Sequence, residues 1–298
     1  MRKCNRLVNL KIDQPFPQCS VTTQACNGIS RLTFHNAQYS ILRESSPNLA
    51  AVILRANSNK ASPIMLEFIQ NQAMNVEKIP NRDPEISVYV VDDFLANPEL
   101  LAEYAKNKAY FGKVGDDRTA YPGIRDRMPS SYEHTMEKAV ELVYGIRNPQ
   151  IHRCMISLTT LQPTQLSAAQ KMPHVDAFGD DQYASVHYLC GEPHGGTAIY
   201  RYRPRNLVRI RHDDRSVMDE MIENVRNHPE EHSGYLNEST SLFKQELVIK
   251  ARWNRLILYP ANLLHCALLS SPRSLDSDVS NGRLSVASFF RLEQKPHQ

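Results

Sequence analysis

Apolar and polar positions change texture twice along the chain. Residues 1 to about 84 show no strong period. Within them, Arg31–Leu42 alternates loosely enough to predict a strand pair. Ser62-Pro63 reads as a helix cap with proline in the first turn, leading into Ile64, Leu66, Phe68 and Ile69. Pro80 and Pro84 flank Asn81 and Asp83 and mark a break. Ile86–Val91 is then a β-branched and aromatic run, predicting a buried strand. After Asn97-Pro98-Glu99, an apolar stripe of Leu100, Leu101, Tyr104 and Ala105 predicts a helix. Residues 111–130 carry two prolines, three glycines and many charges and read as loop. Met136, Ala139, Val140 and Val143 predict a second amphipathic helix ending near Gly145.

Beyond Pro149 the pattern becomes short strands between turn residues: 152–161, 174–178, 183–190, 197–202, 255–259, 263–268 and 283–292. Such spacing predicts a barrel or a double-sheet jelly roll. The insertion at about 205–252 holds one convincing helix, striped by Met218, Met221, Ile222 and Val225. The expected fold class is therefore α+β, a double-stranded β-helix (jelly roll) with helices packed outside one sheet. The expected domains are an accessory or poorly ordered region over 1–84 and a jelly-roll domain over 85–298. Met65 and Met74 offer later translation starts.

Composition narrows the class without choosing a function. The chain has 298 residues, 41% hydrophobic and 22% charged, which are globular values. A net charge of +3 does not by itself point to nucleic acid or an anionic membrane. No run is long enough to cross a bilayer, and Met1–Asp13 is basic but lacks the apolar stretch of a secretory signal. The six cysteines show no paired spacing, so the simplest expectation is reduced thiols in the cytoplasm.

Chemistry enters at Pro173-His-Val-Asp. In a strand, His174 and Asp176 point to one face, so an imidazole and a carboxylate can meet on one metal. They are two thirds of the facial triad that suits non-haem Fe(II). The pair alone is a weak signal that needs context. A second histidine is available at His265, after a strand and a proline turn. In Gly282-Arg-Leu-Ser, Arg283 and Ser285 share a strand face and can seat a carboxylate, the arginine with its planar fork.

The order of these parts, with Tyr188-Leu189 and Gly195-Gly196-Thr197 between them, resembles the Fe(II)- and 2-oxoglutarate-dependent oxygenases, nearest their prolyl-hydroxylase-like branch. The resemblance covers about residues 86–292. It implies that His174, Asp176 and His265 bind Fe(II), and that Arg283 with Ser285 holds the distal carboxylate of the cosubstrate 2-oxoglutarate. It further implies O2 as oxidant and hydroxylation of a small molecule, an amino acid or a peptide side chain. A carboxylate at 176 favours hydroxylation or desaturation over halogenation. Cys190 stands where that branch often has asparagine, and the stretch from His265 to Arg283 is long, which leaves Arg273 as the alternative clamp.

The rival class is a cupin-like jelly roll that binds a metal or an anion without oxidation. Cys190, His194 and Cys266 lack the paired spacing of a structural zinc site. Tyr183, Tyr188 and Thr159 are further possible contacts for the cosubstrate, and His187 could be structural or face the pocket. Arginines at 201, 203, 205, 209, 211 and 215 suit a solvated strand edge. A nucleic-acid site is the sharper alternative, but no aromatic platform accompanies the charges. No partner macromolecule or oligomeric state is read from the sequence.

Overall fold

The computed structural model describes residues 67–269 and 271–293 in full; of the chain before them it describes the backbone of four strands. The chain divides into two compact units, Met1–Met65 and Leu66–Gln298. In the first, β1 (Thr22–Cys26), β2 (Ile29–Phe34), β3 (Ala37–Leu42) and β4 (Arg55–Ala56) make one antiparallel sheet in that order. β2 and β3 are the strand pair expected over 31–42. The helix expected from Ser62 lies mostly outside the described residues. Glu67–Ile69 is not helical, and Phe68 is buried in the core of the second unit.

The second unit is α+β. It runs β5 (Asn75–Lys78), β6 (Tyr89–Asp92), α1 (Glu99–Asn107), β7 (Gly123–Arg127), α2 (Ser130–Tyr144), β8 (Gln150–Thr159), β9 (Gln182–Tyr188) and β10 (Gly196–Tyr202). There follow α3 (Val217–Asn227), β11 (Phe243–Lys250), β12 (Arg255–Pro260), β13 (His265–Leu268) and β14 (Leu284–Arg291). Seven strands form one sheet in the order β5-β6-β12-β9-β14-β8-β7, and three form another, β11-β10-β13; all pairings are antiparallel. The larger sheet thus begins at Asn75, before the change of texture near residue 85.

Alternation along each strand sorts side chains onto two faces. On β8, Cys154, Ile156 and Leu158 pack with Leu284, Val286 and Phe290 of β14 beneath α1 and α2. Leu101 and Ala105 of α1 and Tyr132, Met136, Ala139 and Val140 of α2 complete that layer. Gly145 ends α2 in the left-handed region at φ 67°, its N–H donating to Glu141 O. α1 is not capped by Asn97: that side chain accepts from Ile69 N–H and ties down the entering chain.

Between the two sheets lies a second apolar layer that includes Val90, Ile257, Ile199 and Ile249. The outer face of the small sheet, with Tyr200, Tyr202 and Phe243, packs on Met221 and Val225 of α3. Helices therefore cover both sheets, where the sequence predicted cover on one. Three strands of the second unit were missed because few of their side chains are buried; β5, ahead of the expected domain, has no buried residue among its four. β7 arises inside the expected loop, with one fully buried residue among five, and β11 inside the expected insertion, with two among eight. Residues 174–178 form a single bridge rather than a strand.

Gly195-Gly196 is required by contact. Gly195 sits at φ +90°, and a Cβ there would lie 2.0 Å from Leu268 O; at Gly196 it would lie 2.1 Å from Ile249 O. The two glycines let β10 slip between β11 and β13. We expect Gly196→Ala to cost about 2 kcal/mol or more, lowering Tm by roughly 4–8 °C. Gly191→Ala, which meets only Pro193 Cδ at 3.6 Å, should be close to neutral. Thermal melts of the two variants check this.

Candidate metal centre

His174 and His265 face each other across an antiparallel bridge, each N–H donating to the other's carbonyl at 2.9 Å. Directly opposed residues in such a pair project to the same side. Asp176, two residues on, returns to that side, its N–H held by Ala261 O at 2.8 Å. The three side chains meet: His265 Nε2 lies 3.4 Å and His174 Nε2 3.8 Å from the Asp176 carboxylate. One potential ligand atom from each residue falls within 4.8 Å of the other two. Among the described residues, no other three His, Cys, Asp or Glu side chains come together in this way.

His265 is buried, with Tyr259 packed at a ring distance of 4.8 Å. Its Nδ1–H donates to Leu263 O at 2.9 Å, since a carbonyl can only accept. That bond holds the ring and leaves Nε2 turned to Asp176. His174 borders a cavity, and solvent reaches 48% of its side chain. Desolvation, and then the neighbouring His265, hold its pKa below the ordinary histidine value.

The cavity measures about 490 Å³ and opens between the two sheets. Arg283 and Ser285 line it, from the edge of β14 and from its first turn of alternation. Arg283 is only 3% exposed. One amino group donates to Gly196 O at 2.9 Å, while Nε has no partner. A buried guanidinium with an unused donor, beside a cavity, is suited to an anion. Arg273 is exposed on the short turn Pro272–Leu275 and does not line the cavity.

Of the other predicted contacts, Thr159 lines the cavity and bonds Tyr121 Oη at 2.9 Å. Tyr188 is buried beside it, bonded to Thr197 Oγ1 at 2.6 Å, with the Arg283 guanidinium 5.7 Å from its ring. Tyr183 instead stacks on Phe290 behind the sheet. His187 also lies behind, accepting from Tyr132 Oη at Nδ1 and donating from Nε2 to Asn254 Oδ1, both at 3.1 Å. Burial pushes the thiols of Cys190 and Cys266 up to about 11 and about 12, which disfavours the thiolates a zinc site needs.

Charge pattern alone did not reveal two cavity residues, Arg125 and Arg153. Arg125 stands on β7, inside the expected loop, and pairs with Asp117 at 3.1 Å. Arg153 sits one step out of phase with the apolar residues of β8, the signal that places it on the cavity face. The arginine run is met internally. Arg201 pairs with Asp83 and Glu246, Arg205 with Glu220, and Arg209 and Arg211 with Glu85 and Asp180. Arg203 donates to Thr240 O, and Arg215 lies over Phe178. Among the described residues, no helix is long and apolar enough to cross a membrane.

An antiparallel α+β unit carrying a His-Asp-His cluster at a cavity is the class that fold and site define. The chain belongs to a family of unknown function, DUF6445, whose model matches residues 71–290. A search of curated proteins finds no match. Among solved structures, the non-heme alpha ketoglutarate dependent epimerase SnoN from nogalamycin biosynthesis is similar at 11% identity and a TM-score of 0.38, covering 69% of this chain and 78% of that one. A TM-score that low does not establish a shared fold.

His187 gives a test of the buried layer. Burial holds its pKa down at about 4, below the unfolded value of about 6.5. The unfolded chain therefore binds the extra proton first. The contribution is present above pH about 6.5 and is lost as pH falls towards 4. His187→Phe should flatten the fall in stability across that window, whatever it does to stability at pH 7; denaturant titrations at several pH values read the slope.

Proposed function

We propose that this protein is an Fe(II)- and 2-oxoglutarate-dependent oxygenase on a jelly-roll scaffold, hydroxylating a small molecule, an amino acid or a peptide side chain. One observation carries the reading: the His174–Asp176–His265 cluster and the buried Arg283, with its unpartnered Nε, border the same cavity. Two imidazole nitrogens and one carboxylate are the donor set that suits non-haem Fe(II) and leaves positions open for other ligands. When bound, the metal would activate O2, the oxidant, with one oxygen atom going to the oxidative decarboxylation of 2-oxoglutarate to succinate and CO2 and the other to the substrate.

The chain's own residues position and protect. Leu263 O holds the His265 ring, and Ala261 O, accepting from the Asp176 N–H, holds the segment that carries Asp176. Arg283 and Ser285 offer donors to the distal carboxylate, and Gly196 O keeps the guanidinium oriented. The antiparallel two-sheet layering supports the jelly roll. A cupin-like protein that binds only a metal has no need of a buried arginine beside it; one that binds an anion would use it too, and turnover of 2-oxoglutarate separates that case from the oxygenase.

The direct test is conversion of 2-oxoglutarate to succinate under air with Fe(II) and ascorbate. No conversion in the presence of a broad pool of amino acids, peptides and metabolites would leave the non-oxidative class standing. His174→Ala and His265→Ala should abolish Fe(II) binding in anaerobic equilibrium dialysis, and Asp176→Ala should weaken it severely. Arg283→Ala should keep the metal but raise the 2-oxoglutarate requirement roughly tenfold to a hundredfold, the loss of a charge-assisted pair. Arg283→Lys should recover only part of that, because a point charge lacks the bidentate fork.

A further inference from the structure

We propose that the substrate of this site is an apolar monoanion whose acidic group is held by Arg153, an inference that rests on the oxygenase reading. Arg153, an exposed residue of β8, borders the mouth of the cavity opposite Phe289 in the sheet register, with its guanidinium 5.1 Å from the Phe289 ring centroid. Among the described residues, no carboxylate pairs with it and no hydrogen bond engages it.

Charge balance singles it out. Arg125, the other additional cavity arginine, is offset by Asp117. A divalent metal and Arg283 would be offset by Asp176 and the two carboxylates of the keto acid. Arg153 then remains as the one uncompensated charge in the cavity, and complementarity calls for one negative charge on the ligand.

Position separates it from the cosubstrate seat. Arg283 lies six residues from Phe289, hence roughly 20 Å along the strand from the place opposite Arg153. One guanidinium is tied to Gly196 O and the other lies over Phe289, so the two serve different molecules. The cavity lining is mostly apolar and includes Met218, Ile222, Leu236, Val186, Ala287 and Phe289. That surface suits a hydrocarbon or aromatic body. An amine-bearing substrate would meet Arg153 as a like charge.

The probes are phenylbutyrate and its uncharged isostere phenylbutyramide, titrated calorimetrically into protein holding Fe(II) and 2-oxoglutarate under nitrogen. Wild type should bind the acid about tenfold more tightly than the amide, the worth of one charge-assisted contact. Arg153→Gln should bring that ratio to about one, and Arg153→Lys should keep part of it. Fe(II) binding by the same variants shows that they are folded. Equal affinity of wild type for acid and amide, or full preference retained in Arg153→Gln, overturns the proposal. The titration is repeated without iron and keto acid, so that the two readings fail separately. An Arg153-dependent preference in a protein that never converts 2-oxoglutarate sustains the anchor and removes the oxygenase. Conversion without the preference removes the anchor alone.

Discussion

Two reciprocal backbone hydrogen bonds between His174 and His265 set the geometry on which the site depends. They align two distant segments so that both imidazoles project to one side. The strand period then brings Asp176 back to the same side with no further device. Everything that holds this bridge in place therefore bears on the cluster. The most direct support is β10, which pairs with β13 from Gly196 to Ile199. Its Gly-Gly start allows backbones to approach where any Cβ would collide, and the carbonyl of Gly196 also orients Arg283. A single tight crossing thus connects the cluster to the buried Arg283.

The large sheet separates two jobs by face. Behind it, α1 and α2 bury an apolar layer into which few polar groups enter. Of those that do, His187 is satisfied between Tyr132 and Asn254, whereas Tyr144 Oη and Ser288 Oγ have no hydrogen-bond partner. In front, the same strands present Arg153, Thr159, Ser285 and Arg283 to the cavity. The odd and even positions of β8 and β14 therefore answer to different pressures, stability on one side and chemistry on the other. The arginine run belongs to neither. Its charges tie the segments at 83–85 and 180 to the small sheet, across gaps that no strand spans.

Much of this was legible because the strands carrying the chemistry are also well patterned. The stretches 183–190, 197–202 and 283–292 show apolar alternation, and the residues on their opposite phase are the ones that reach the cavity. The helices around Leu101 and Met136 followed from their stripes. What escaped was structure without burial. β7 and β11 lie at sheet edges, where half-exposed polar residues leave no period to read. Arg125 was hidden with β7. The segment after His174 reads as a strand because of its residue types, but it makes only one bridge before turning away with Asp176. Alternation could have placed Arg153, yet an isolated arginine in a strand carries no mark of what it faces.

Helix α3 shows how such a protein can change what it accepts. Met221 and Val225 are locked beneath the small sheet, while Met218 and Ile222, on the adjacent flank, border the cavity. Four residues separate the members of each pair, so the two rows run side by side along the helix without sharing a position. Natural variation at 218 and 222 can widen or narrow the chamber while 221 and 225 stay constant. Relatives in this family can therefore diverge in selectivity along one row of a single helix, with the scaffold inherited unchanged.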